Sequence, residues 1–96
     1  MTTRRTVGHG VKTVTTAGTD VVLATSTSAT WVIVQAQTDN TGVIGVGIVG
    51  VDATVATGNG IALAAGESVT LPVEDLASIY IDSTVNGDGV RYVYGT

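Results

Sequence analysis

Three features of the sequence have residue types that could do chemistry: a glycine-rich run, a lone histidine and a set of scattered carboxylates. Residues 45–50 read GVGIVG, a formal match to the G-x-G-x-x-G fingerprint of dinucleotide sites. That fingerprint works only where a strand leads into the glycines and a helix opens after them, so that the helix N-terminus meets the pyrophosphate. The following residues, VDATVATGNG, are rich in β-branched side chains and glycine and start no helix. The bland alternative is that these glycines let another backbone or a bulky side chain approach a strand closely.

His9 is the only histidine and sits between Gly8 and Gly10. Acid–base work needs a histidine held in a pocket, and a metal site would need His9 to meet carboxylates from distant segments. Asp39, Glu74, Asp75, Asp82 and Asp88 include turn positions, but none follows a calcium-loop spacing. Asp39-Asn40 and Asn86-Gly87-Asp88 read as turn formers. Serine and threonine are abundant, yet no G-x-S-x-G elbow appears and no cysteine is present. The expectation is therefore no catalytic residue, no metal site, no cofactor and no enzyme. Trp31 with Tyr80, Tyr92 and Tyr94 could instead form an aromatic platform for sugars or for protein contact.

The elements that would position these residues are strands. The chain has 96 residues, which suits one domain. Val and Thr are its commonest residues, Gly numbers 13, and Phe is absent. Such a composition builds an aliphatic, all-β core. About eight short strands recur with turn signals at roughly ten-residue spacing, which predicts a two-sheet β-sandwich, jelly-roll-like in strand number. Residues 1–10 read as a flexible or extended N-terminal arm, and residues 11–96 as the sandwich domain.

The densest β signal is residues 31–51, WVIVQAQTDNTGVIGVGIVGV. Two aliphatic arms around Asp39, Asn40, Thr41 and Gly42 predict a β-hairpin. In the first arm Val32, Val34 and Ala36 share one face, and Trp31, Ile33 and Gln35 share the other. The second arm is apolar on both faces, which an outer strand of a lone domain would not be. Something must cover the second face, either another part of the sandwich or a neighbouring subunit. Trp31, Ile33, Val43, Val49 and Val51 are therefore the candidate oligomer interface. Further on, Val69, Leu71 and Val73 alternate with polar residues, and Pro72 predicts an edge strand or strand end. Val55 is read as lying in a two-residue strand, and residues 74–78 as a helical turn or loop.

Net charge is −4 and unevenly spread. Arg4, Arg5 and Lys12 give the first 12 residues +3, while the remainder carries −7. An acidic body argues against nucleic acid as a partner. The basic end predicts an arm, through Arg4, Arg5 and Lys12, that contacts an acidic protein surface. Every apolar run is interrupted well short of the ~18 residues of a membrane helix, and no secretion signal is read at the N-terminus.

Several segments together resemble small structural proteins of tailed bacteriophages, of the head decoration or cement type. They are Gln35-Ala36 before an Asn40–Gly42 turn, GIALAAGESVTLP at 60–72, DLASIYI at 75–81 and GDGVRY at 87–92. The resemblance spans roughly residues 20–95 and leaves the first 19 outside it. It implies a virion component made in the host cytoplasm, sitting on the capsid surface as a homotrimer and stapling neighbouring copies of the major capsid protein. The alternative is a carbohydrate- or receptor-binding sandwich module of a fibre or tail.

Overall fold

The computed structural model describes residues 5–96, which form two four-stranded antiparallel sheets packed face to face. The strands are β1 (Val7–Thr13), β2 (Val21–Val22), β3 (Trp31–Ala36), β4 (Ile44–Gly47), β5 (Ile61–Leu63), β6 (Ser68–Pro72), β7 (Tyr80–Ser83) and β8 (Gly89–Gly95). One sheet has the order β1-β8-β3-β6 and the other β2-β7-β4-β5. The all-β sandwich expected from the sequence is thus what the chain forms.

The order has a simple logic. β4 pairs with β5, β3 with β6, β2 with β7 and β1 with β8, all antiparallel. The chain therefore doubles back about its middle, and the doubled ribbon rolls up so that β8 also meets β3 and β7 also meets β4. This nested pairing is the jelly roll. Alternation supplies the core: Val32, Val34 and Ala36 from β3 pack with Ile44, Val46, Ile81 and Val90. Val69, Leu71 and Val73 close it from the β6 edge. Pro72 ends β6 at the sheet's edge, where its missing N–H costs no ladder bond. A 3₁₀ turn, Leu76–Ser78, follows, with the Asp75 carboxylate accepting from the Ala77 amide at 2.8 Å.

Three sequence expectations change. The two arms of residues 31–51 do not form a hairpin: β3 and β4 belong to different sheets. The Asp39–Gly42 region is a crossover, held by the Asp88 carboxylate accepting from the Gly42 amide at 2.8 Å and by Asn40 bonding to Gly89. A turn rich in Asp, Asn and Gly reverses the chain equally well within a sheet or between sheets. β1 begins at Val7, inside the stretch read as an arm, because residues 7–10 find hydrogen-bonding partners at the far end of the chain. Val55 lies in a turn rather than a strand.

Candidate functional site

The two outer faces of the sandwich are treated differently. On the β4 sheet, Ile44 and Val46 point to the core, so Gly45 and Gly47 point outward. The following segment of the same chain folds back over them. A methyl group on Gly45 would lie 3.1 Å from Ala53 Cα, and one on Gly47 would lie 3.2 Å from a Val51 methyl. Asp82, on β7 and 1% exposed, anchors this cover. Its carboxylate accepts from the amides of Ala53 and Gly18, both at 3.0 Å, and so holds two loops against the sheet. The glycines of GVGIVG therefore serve the close backbone approach that glycines in a strand permit. The run ends in a turn in which the Gly50 amide donates to Asp20, with no helix following.

The outer face of the β1 sheet has no such cover among the described residues. The register places Val7, Gly95, Trp31 and Pro72 in one row across the strands. His9, Val93, Ile33 and Thr70 form the next, and Val11, Arg91, Gln35 and Ser68 the third. Val7 and Val11 are 73% and 62% exposed, and Ile33 and Val93 are 37% and 39% exposed. Trp31 lies half-buried over Gly95, and the Gln35 amide donates to the Gly66 carbonyl. The lower two rows enclose a shallow hollow of about 430 Å³. Its basic side chains are Arg91 and His9, Tyr92 also lines it, and these three rows contain no Asp or Glu.

Tyr92 and Tyr94 occupy alternate positions on β8 and turn to the inner side, under Gly10 and Gly8. Their rings are 6.3 Å apart, tilted by 30°. Burial, and secondarily the neighbouring Tyr94, raises the Tyr92 phenol above its ordinary pKa. Trp31 faces outward from the same sheet, and Tyr80 belongs to the other sheet. The four aromatic residues do not assemble into one platform.

The sequence-predicted interface residues separate. Trp31 and Ile33 lie on the bare face. Val43, half-buried at the entry to β4, has its amide tied to Thr84. Val49 is 68% exposed in the turn after β4, next to Ile48 at 70%. Val51 is 6% exposed and packs on Gly47 and Gly60, so it belongs to the chain's own interior and offers nothing to a partner. Of the basic residues, Arg4 lies outside the described residues. Arg5 is exposed just before β1, and Lys12 lies seven residues on, half-buried on the inner side of β1. Seven extended residues span roughly 23 Å, so Arg5 and Lys12 form no cluster. Val7, His9, Val11, Arg91 and Val93 were missed as face residues. Their signal was the odd-numbered alternation in VGHGVKT and VRYVYG, readable only once both segments are known to be neighbours.

This surface offers apolar contact with one fixed cation and one histidine. Among the described residues, no three His, Cys, Asp or Glu side chains are grouped to hold a metal ion. No helix among them is long and apolar enough to cross a membrane. Comparison with protein-family models, with curated proteins and with solved structures finds no match for the chain.

Proposed function

We propose that the chain is a non-enzymatic virion structural protein: a decoration protein that binds the outside of a phage head as a homo-oligomer and stabilises the shell. The observation that carries this reading is the unequal treatment of the two faces. The chain spends a whole loop and a buried carboxylate covering one sheet, and leaves Val7, Val11, Ile33 and Val93 uncovered on the other. Contiguous exposed aliphatic surface on a small domain marks an association surface. The segment resemblance supplies the phage head, its major capsid protein as partner, and the three-fold state.

A stable interface needs about 1,000 Å² of buried surface in total, which a whole sheet face from each partner can provide. The carbohydrate-binding alternative predicts an exposed aromatic and acidic cluster; Trp31 lies on the opposite side of the β1 sheet from Tyr92 and Tyr94, and the three rows on its side hold no Asp or Glu. The test is co-sedimentation with purified capsids, beside light scattering of the free protein. The expected result is saturable capsid binding by an oligomer, lost in Ile33→Asp. A chain that stays in the supernatant at every capsid concentration would sink the reading. Removal of residues 1–5 tests the basic end without touching β1, and is expected to weaken binding several-fold while leaving the fold intact.

A further inference from the structure

We infer that the bare face of the β1 sheet receives the turn at Ile48 and Val49 of a second copy, joining subunits head to tail. This inference rests on the homo-oligomer reading above and specifies its interface.

Two observations lead to it. First, the large exposed aliphatic side chains divide between the two sheets. One group is Ile33, Val93, Val7 and Val11 on the β1 sheet; on the other side stand Ile48 and Val49 beyond the end of β4, with Val55 and, on β5, Ile61 also exposed. Second, their electrostatic settings are opposite. Arg91 and His9 stand on the first, whose three rows hold no carboxylate. Asp20 and Asp52 flank the second: Asp20 holds the Gly50 amide at 2.9 Å, and Asp52 follows Val51 directly. The Thr54 hydroxyl and amide hold the Asp52 carboxyl below its ordinary value, so it stays anionic at neutral pH.

Pairing each patch with itself across a two-fold axis would set Arg91 toward Arg91, and the Asp20–Asp52 side toward itself. Pairing one with the other sets a cation against carboxylates and aliphatic surface against aliphatic surface, the arrangement that favours encounter and excludes wrong partners. Where one copy's face takes another's turn without the reciprocal contact between the same two copies, the interface is heterologous and closes into a ring of three or more or grows into a filament. A trimer is the smallest assembly it permits to close.

The experiment uses charge at two exposed sites of the full chain. Ile33→Asp repels the acidic turn, and Val49→Lys repels Arg91. By light scattering, each variant alone is expected to have the mass of one chain. An equimolar mixture is expected to restore association, because the sound turn of Ile33→Asp meets the sound face of Val49→Lys and the introduced carboxylate meets the introduced ammonium. The double variant is expected to recover the wild-type mass, since the introduced carboxylate of one copy meets the introduced ammonium of the next. Circular dichroism is expected to show every variant folded. A monomeric wild type, an oligomer that survives either single change, or a double variant that stays monomeric would each overturn the inference. Capsid co-sedimentation separates this from the functional reading. A wild type that binds capsids as a monomer removes the head-to-tail contact and the homo-oligomeric state, and leaves the phage-head role standing. A head-to-tail oligomer that ignores capsids removes the phage-head role alone.

Discussion

Ala53 lies on Gly45: its Cα is 3.1 Å from where a methyl group on that glycine would be, with its Cβ and amide nitrogen at 3.3 Å. The contact is between the outer surface of β4 and a segment eight residues further along the chain. It explains why a strand can be apolar on both faces in a single small domain. One face meets the opposite sheet and the other meets the chain's own loop.

Gly45→Val should therefore act as overpacking. The loop carrying Ala53 cannot retreat without breaking its bond to Asp82. The expected loss is about 1–3 kcal/mol of unfolding free energy, read from urea denaturation. An unchanged midpoint would show that the loop does not bear on β4.

Asp82 is a second anchor whose removal has a defined cost. Asp82→Ala leaves the buried Ala53 amide without an acceptor, at about 1–3 kcal/mol, while the Gly18 amide keeps the Ser83 carbonyl at 3.3 Å. Asp82→Asn keeps one carbonyl acceptor and should lose roughly half as much. Equal losses from the two variants would mean that packing, not hydrogen bonding, decides the effect.

Much of the fold could be read from alternation. Val32, Val34 and Ala36, and then Val69, Leu71 and Val73, announced their inward faces, and Pro72 announced an edge. What alternation does not carry is which strand lies beside which. Residues 39–42 predict a hairpin where the chain makes a crossover, because turn chemistry is local while sheet membership is not. The same gap hid the candidate site. Val11, Ile33 and Val93 become one surface only through pairings between residues some 60 or more apart in sequence. Val51 was misplaced for the opposite reason. Its partner was Gly47, four residues before it, and the glycine in a strand was the available sign of a close approach.

Edge position makes proline a sensitive probe of β1. Thr6 and Val14 exchange backbone bonds with the β8 side, so by alternation the even-numbered residues point their amides inward to β8. The odd-numbered ones point theirs to the open edge. Lys12→Pro should cost about 3 kcal/mol or more, and Val11→Pro much less, since only the former removes a ladder bond. Equal costs, measured by thermal unfolding, would contradict the assigned register.

Asp75 ties two segments together. The Ser26 hydroxyl donates to it at 2.6 Å, and the Ala77 and Thr27 amides at 2.8 and 3.0 Å. These bonds favour the carboxylate and lower its pKa from 3.8, Ser26 contributing most. A lowered folded-state value means that the stabilisation is fully present above the ordinary value and is lost as pH falls through the lowered one. Carbon-detected NMR titration should place the Asp75 midpoint below 3.8. Asp75→Asn should flatten the stability profile in that acid range. A midpoint at or above 3.8 would refute the assignment.

The nested pairing also dictates a timetable. Val7 is made 88 residues before Gly95, the residue it pairs with. At translation rates of about 5–20 residues per second, β1 waits on the order of 4–18 s for its only neighbour. During that interval β3 also lacks β8, the strand that will stand between it and β1. A nascent chain halted before β8 leaves the ribosome with half of one sheet unbuilt and its aliphatic strands open to aggregation. Until the seven residues of β8 are made, the β1 sheet cannot close, because β8 stands between β1 and β3.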